Sequence, residues 1–399
     1  MAFSDYLNFE VMGEQLFSYL CTIHQHGAGF SYPLQAGQPG SLYGSAFAAF
    51  VAHMLGRTDE LPGRDRLVEN IASLRDPETG LFSDPDLTRA DFRSPQTHSE
   101  LYVSLQTTYF CTAALKSLGA AADHRVFWLE PLLKEGAVYR WLDDLDWSNP
   151  WLVSNLDMFV GIFLLDWRDQ EQNDRRVAAA VDEYFSWHDE KQDARTGFWG
   201  SQQDLFNAMA GAYHILIHYD YAGREISCVE AMIDSTLKLV ARDGLFVYGG
   251  GGGSCEDMDA IDILVRLSRL SDYRIDEVRK VLLGAARRIA LGQSADGGFG
   301  WRIQPRLRGL VPTLQTDPSL FPGQVYDCLY KLRNRSHYCS TYYYSSLQCY
   351  PFALNVSDTW SSWFRPLAVA FVAHRFPELF NAECNWRFPT WPGLGYESK

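Results

Sequence analysis

What this 399-residue chain lacks narrows its class quickly. No apolar run approaches the roughly 20 residues that span a bilayer. The opening Met-Ala-Phe-Ser-Asp-Tyr has neither the basic nor the apolar region of a secretory signal. A cytoplasmic chain without an integral membrane segment is expected. The eight cysteines are scattered with no CxxC pair, so neither a zinc ribbon nor a disulfide scaffold is indicated, and reduced thiols are expected. Positive charge is short as well: 35 Lys and Arg face 49 Asp and Glu, a net charge of −14. That balance argues against nucleic acid and anionic membranes as partners, since both demand basic patches. The five-glycine run Gly249–Gly253 has no Lys-Ser/Thr sequel and is followed by acids, which repel phosphate, so it is no P-loop. His214 and His218 lack the Glu of an HExxH pair and read as core or rim histidines. Clean two-residue alternation is almost absent too, which removes the exposed sheet.

What is present is helical periodicity and aromatic residues. Unusually apolar helices are predicted to begin near Ser41, His98, Asn149, Asp204, Glu256 and Asp358, the first five roughly 50 to 58 residues apart. More charged, one-faced helices follow them, as over 59–75, 169–188, 225–242 and 273–291. A helix hydrophobic all round is enclosed by others, and a one-faced helix lies outside. The expected fold is therefore all-α: a single (α/α)6 toroid of inner and outer helices over 1–399, with a long insertion or lid at 301–357. The 21 Tyr, 24 Phe and 12 Trp are enough to line a cavity as well as a core.

Four loops share a signature: Asp76-Pro-Glu-Thr-Gly-Leu-Phe, Arg195-Thr-Gly-Phe-Trp-Gly, Asp243-Gly-Leu-Phe and Gln293-Ser-Ala-Asp-Gly-Gly-Phe-Gly-Trp. Asp or Thr caps such a turn, Gly supplies positive φ, and the aromatic packs between helices. The last loop resembles the glutamine-tryptophan repeat of terpenoid cyclases. The set is similar to the turns of the terpenoid cyclase and protein prenyltransferase toroids. That resemblance implies an enzyme, a class II cyclase-like isomerase or lyase acting on a polyprenyl or related small molecule. Its buried Asp would start cyclisation by protonation, with no cofactor. A prenyltransferase zinc site is not assembled, because Cys255 and Asp257 stand in reverse order and the last inner helix has no His. No metal is expected.

Glu256, Asp257, Asp259 and Asp262 are the candidate catalytic residues. Glu256-Asp-Met-Asp and Asp257-Met-Asp-Ala each approximate the Asp-x-Asp-Asp motif of that family. Acids in a first helical turn complement the helix dipole, but Asp259 and Asp262 continue into the apolar stripe. Polar and aromatic groups at the other inner-helix starts are candidates for substrate binding: His98, Glu100, Trp147, Asn149, Trp151, Asn155, Asn207, Trp360, Trp363 and Arg365. The same ring also fits a carbohydrate-active toroid, whether glycoside hydrolase, lyase or epimerase. In a non-catalytic binding toroid every acid would instead be paired with Arg or Lys. The insertion concentrates Arg302, Arg306, Arg308, Lys331, Arg333 and Arg335, suited to an anionic end of a substrate. The oligomeric state is left open.

Overall fold

The computed structural model describes residues 8–27, 29–85, 87, 99–120, 125–247, 251–303, 318, 321–333, 341–342, 348–380, 382–389 and 391–396. In chain order its α-helices are α1 (Phe9–Ile23), α2 (Leu42–Met54), α3 (Arg64–Ala72), α4 (Glu100–Ser117), α5 (Ala137–Asp143), α6 (Pro150–Gln170), α7 (Arg175–Lys191), α8 (Leu205–Ala222), α9 (Val229–Leu237), α10 (Ser254–Leu270), α11 (Ile275–Ala290), α12 (Phe321–Arg333) and α13 (Ser361–Arg375). Strand among the described residues is confined to two short antiparallel pairs. In them β1 (Phe299–Gly300) meets β4 (Ser357–Asp358), and β2 (Thr341–Tyr342) meets β3 (Phe352–Ala353). The chain is all-α, and no helix of the described residues is long and apolar enough to cross a membrane. Of the predicted insertion, Arg306, Arg308 and Arg335 lie outside the described residues.

The six predicted apolar helices are α2, α4, α6, α8, α10 and α13, and most begin where the sequence places a cap. Ser41 accepts from Gly44 N, Ser99 from Tyr102 N, Asn149 from Leu152 N, and Asp204 from Phe206 N and Asn207 N. A side-chain oxygen there satisfies amides the helix leaves unpaired. The signature loops form as their composition dictates, with Gly80, Gly197, Gly244 and Gly297 all at φ between 74° and 89°.

Contacts divide the chain into two compact units. The first holds residues 1–67, 236–344 and 348–387. In it α10, α13 and α2 run parallel: Asp257 meets Arg365 near the starts of α10 and α13, and Ser268 meets Arg375 near their ends. Tyr43 and Phe50 of α2 pack on Trp360 and Trp363 in the same sense. Helices α1 and α11 run the other way. Glu14 of α1 pairs with Arg57 just after α2, and Arg279 of α11 with Glu378 just after α13.

The second unit holds residues 68–235, 345–347 and 388–399. Its helices α4, α6 and α8 are likewise parallel, with Tyr109 on Phe159 and Lys116 on Asp166, then Trp151 on Phe206 and Ser154 on His214. The one-faced helix α7 crosses antiparallel, its His188 reaching Asp157 of α6 and its Asp182 pairing with Arg224 beyond α8. The α6–α8 approach depends on Gly161. A Cβ there would stand 2.5 Å from His218 Cε1 and 2.8 Å from Tyr184 Cζ, atoms of rings packed on every side. Gly161→Ala is expected to lower stability by about 1–3 kcal/mol, as overpacking of a filled core does. An unchanged urea midpoint would show that the two helices part without cost.

Candidate active site

In the first unit, the loop before α10 is built to receive that helix. Gly252 takes φ +60, and a Cβ on it would lie 2.0 Å from Asp257 Oδ2, so only glycine fits. Asp257 then binds the loop back: Oδ1 accepts from Phe246 N at 2.8 Å and Oδ2 from Gly253 N at 3.1 Å. The same Oδ2 accepts from Arg365 Nη1 at 2.5 Å, both side chains being fully buried. Arg365 Nη2 donates to the carbonyl of Trp301 at 2.6 Å. Burial pushes the Asp257 carboxyl up, and the Arg365 guanidinium opposes it. One turn further on, Asp262 accepts from Arg266 Nε at 2.6 Å, again inside the core.

Asp259 differs from both. It is 2% exposed and has no hydrogen-bond or ion-pair partner among the described residues. Burial raises its carboxyl well above the ordinary range, and the carboxylates of Glu256, Asp262 and Asp257 push it further the same way. Desolvation and like charge both disfavour ionisation. Glu256 is buried too and is pushed up to about 7, chiefly by burial, while Cys255 Sγ donates to it at 3.4 Å. All four acids are inside, including Glu256 and Asp257, which helix-start preferences would leave in water: two of the four are matched by arginines and two are not.

Asp358, read from the sequence only as a helix start, joins this group of raised acids. It accepts from Ser361 N at 2.6 Å and Ser361 Oγ at 2.8 Å, yet burial pushes it up to about 7. Trp360 and Trp363 sit in a packed aromatic cluster: Trp360 lies 4.9 Å from Phe47 and 5.9 Å from Trp301, and Trp363 lies 5.0 Å from Phe50. Both are buried here, and Arg365 gives its two terminal nitrogens to Asp257 and to backbone carbonyls, while its buried Nε has no partner among the described residues.

These raised acids set the pH dependence of stability. Folded Glu256 and Asp358 hold their protons to about 7, against 4.5 and 3.8 for free groups. The folded state thus binds more protons than the unfolded chain, so this stabilisation is complete below the free values and is lost as pH rises through about 7. A loss of about 3 kcal/mol for Glu256 and about 4 kcal/mol for Asp358 is expected at alkaline pH, and Glu256→Gln should flatten the profile. A melting temperature constant from acid to alkaline pH would mean that neither carboxyl is held protonated.

The second unit gathers the remaining candidates at the parallel starts of α4, α6 and α8. Glu100 is exposed in the first turn of α4, and His98 lies outside the described residues. Asn149 is the α6 cap, and Trp147 lies 5.0 Å from Trp187 with its Nε1 donating to Leu142 O. Trp151 and Phe206 meet edge to face at 6.0 Å. Asn155 Nδ2 donates to Trp151 O at 2.8 Å, and Asn207 is half-buried. Deeper inside is a polar network the sequence reading missed. His188 Nδ1 donates to Tyr184 O at 2.7 Å while its Nε2 meets Asp157 Oδ2 at 2.9 Å. Tyr184 Oη lies 2.8 Å from His218 Nδ1. An acid inside an apolar helix was the signal available for Asp157, as it was for Asp262.

No protein-family model matches this sequence, and no curated protein matches it. Among solved structures, a glycosidase variant is similar over 93% of this chain and 98% of its own, at 12% identity and a TM-score of 0.30. So loose a superposition carries no argument about fold or activity.

Proposed function

We propose that this chain is an acid catalyst of the cyclase type. Asp259, held protonated, gives its proton to a carbon–carbon double bond or epoxide of a polyprenyl-like substrate, ring closure follows, and the cyclised cation then loses a proton from a neighbouring carbon to water, which leaves a new double bond. The observation that supports it is the Asp259 carboxyl itself, buried among three other carboxylates with no cation matched to it. Burial and like charge keep the Asp259 proton in place at neutral pH, where a solvated carboxyl has already lost it, so that it is there to be transferred. Once the proton has left, the Asp259 carboxylate faces the new carbocation. Glu256, three residues earlier on the same helical face, titrates near 7 and restores the proton. Asp257 and Asp262 take a holding role, each matched to an arginine. A binding toroid without chemistry requires every acid to be paired in this way, and Asp259 is not.

The proposal takes residues 1–399 as the single (α/α)6 toroid read from the sequence, with 301–357 as its insertion. Its test is incubation in D2O with polyprenyl alcohols, diphosphates and epoxides. A cyclised product carrying one solvent-derived deuterium is expected. Oligosaccharides and uronates belong in the same screen, and cleavage or elimination of these, with all prenyl compounds returned unchanged, would replace the cyclase reading with a carbohydrate one.

A further inference from the structure

We propose that His24 and His26, at the end of α1 in the first unit, bind one divalent transition ion of the zinc type through their imidazole nitrogens. The site stands apart from Asp259 and does not depend on the cyclase reading. Its origin is local. His24 caps the C-terminus of α1 and turns the backbone out of the helix, at ψ 134°. The intervening Gln25 is engaged elsewhere: its amide nitrogen donates to Gln38 O at 2.6 Å, and its side-chain carbonyl accepts from Gly40 N at 3.1 Å. The two histidines are left side by side, ring centres 5.1 Å apart and planes at 86°. Two imidazoles on one tetrahedral ion, bound at about 2.0–2.1 Å, bring their ring centres to about 5 Å. The pair already stands at chelating separation.

Packing alone also gives edge-to-face ring pairs, and two further features separate the readings. Neither imidazole has a hydrogen-bond partner among the described residues. The space in front of one of them is also kept open. Gly63 takes φ +72°, and a Cβ on it would stand 3.1 Å from His24 Nε2 and 3.7 Å from Ser31 Oγ. A ring nitrogen and a hydroxyl thus look into one gap that any other residue at 63 would fill. The gap belongs to a cleft of about 630 Å³ lined by both histidines, Ser31 and Gly63. Tyr32 steadies this wall, its ring 5.1 Å from that of His24 and its hydroxyl donating to Pro62 O at 2.8 Å.

Charge does not select an anion here. Arg64 and Arg66 line the cleft, but Arg64 Nη1 holds Asp65 Oδ1 at 2.7 Å and Arg66 Nη1 holds Gly27 O at 2.5 Å. Asp59 and Asp65 line it too, so the two positive charges are matched by two negative ones. The imidazole lone pairs then decide the ligand, and imidazole suits zinc, copper and nickel. Burial, and after it the neighbouring His26, lower His24 below its ordinary value, so its ring is neutral and able to bind metal at pH 7. No third His, Cys, Asp or Glu completes a set among the described residues. Water takes the remaining positions, which makes this an open site.

Calorimetric titration of the full chain with zinc chloride tests the proposal, with magnesium chloride as the control because magnesium prefers oxygen ligands. One zinc per chain is expected, weakened more than about tenfold in His24→Gln and in His26→Gln, since even a residue behind a metal ligand is worth that much. His26 is exposed, so His26→Gln carries the test should His24→Gln not fold. Zinc should shift the 15N resonances of both imidazoles in the native chain. Affinity should fall as pH drops, because proton and metal compete for one lone pair. The proposal is overturned if no zinc binds below about 1 mM, the scale of a weak complex. It is equally overturned if His26→Gln binds zinc as the native chain does, which would place the ion on the cysteines. Binding of inorganic phosphate in place of zinc, lost in the histidine variants, would overturn it too and give the cleft to an anion.

Discussion

Asp259→Asn is expected to lower turnover by about 10²–10⁴-fold, the range for removal of a general acid. The protein should stay folded. The amide is isosteric with the protonated acid, and no cation among the described residues loses a partner. Above neutral pH the variant should be at least as stable as the native chain, because a carboxyl repelled by Glu256, Asp262 and Asp257 has been replaced by a neutral group. Loss of activity with stability retained separates a proton donor from a packing residue. If Asp259→Asn turned substrate over at the native rate, the proton would have another source. Glu256→Gln should spare a single turnover and slow those after it, a split visible in burst kinetics.

The second large effect concerns stability. Asp257→Ala leaves the Arg365 guanidinium fully buried with its counter-ion removed, and also strands Phe246 N and Gly253 N. Breaking one side of a buried ion pair costs about 3–5 kcal/mol. A fall of that size in the free energy of unfolding is expected from urea titration. Replacing both partners with leucine should cost less than Asp257→Ala alone, since no unmatched charge is then left at this position. A loss under 1 kcal/mol for Asp257→Ala, the scale of an exposed pair, would show that water reaches Arg365 and would remove its assigned role.

Local features of the fold were legible in the sequence because their causes are local. Ser41, Ser99, Asn149 and Asp204 cap helices through atoms two or three residues away, and the signature glycines turn where the sequence puts them. The pairing of the acids was not legible. Arg365 lies 108 residues from Asp257, and nothing in either segment names the other. Asp262 and Arg266 stand four apart on one helix, a spacing that does announce a pair, yet its burial depends on neighbours the spacing does not describe. Trp360 and Trp363 show the opposite difficulty, since an aromatic at helical spacing reads the same whether it faces a ligand or Phe47. Ser154 and His214 meet across 60 residues, a contact beyond any reading of the sequence alone.

The division of the chain also bears on the order in which it folds. The second unit draws almost all its residues from one continuous stretch, 68–235, whereas the first joins 1–67 to 236–387. Domains form as their residues emerge during synthesis, and contacts distant in sequence form late. The middle of the chain therefore closes its core first, while α1 and α2 wait, apolar faces uncovered, for partners not yet made. Arg365 arrives 108 residues after Asp257, and only then can it join Gly251, Asp257 and Trp301. A contact between residues so far apart in sequence is expected to form late in folding and to act chiefly on the rate of unfolding. Arg365 is thus a brake on the opening of the first unit, and a nascent chain released before it emerges exposes α2 to aggregation.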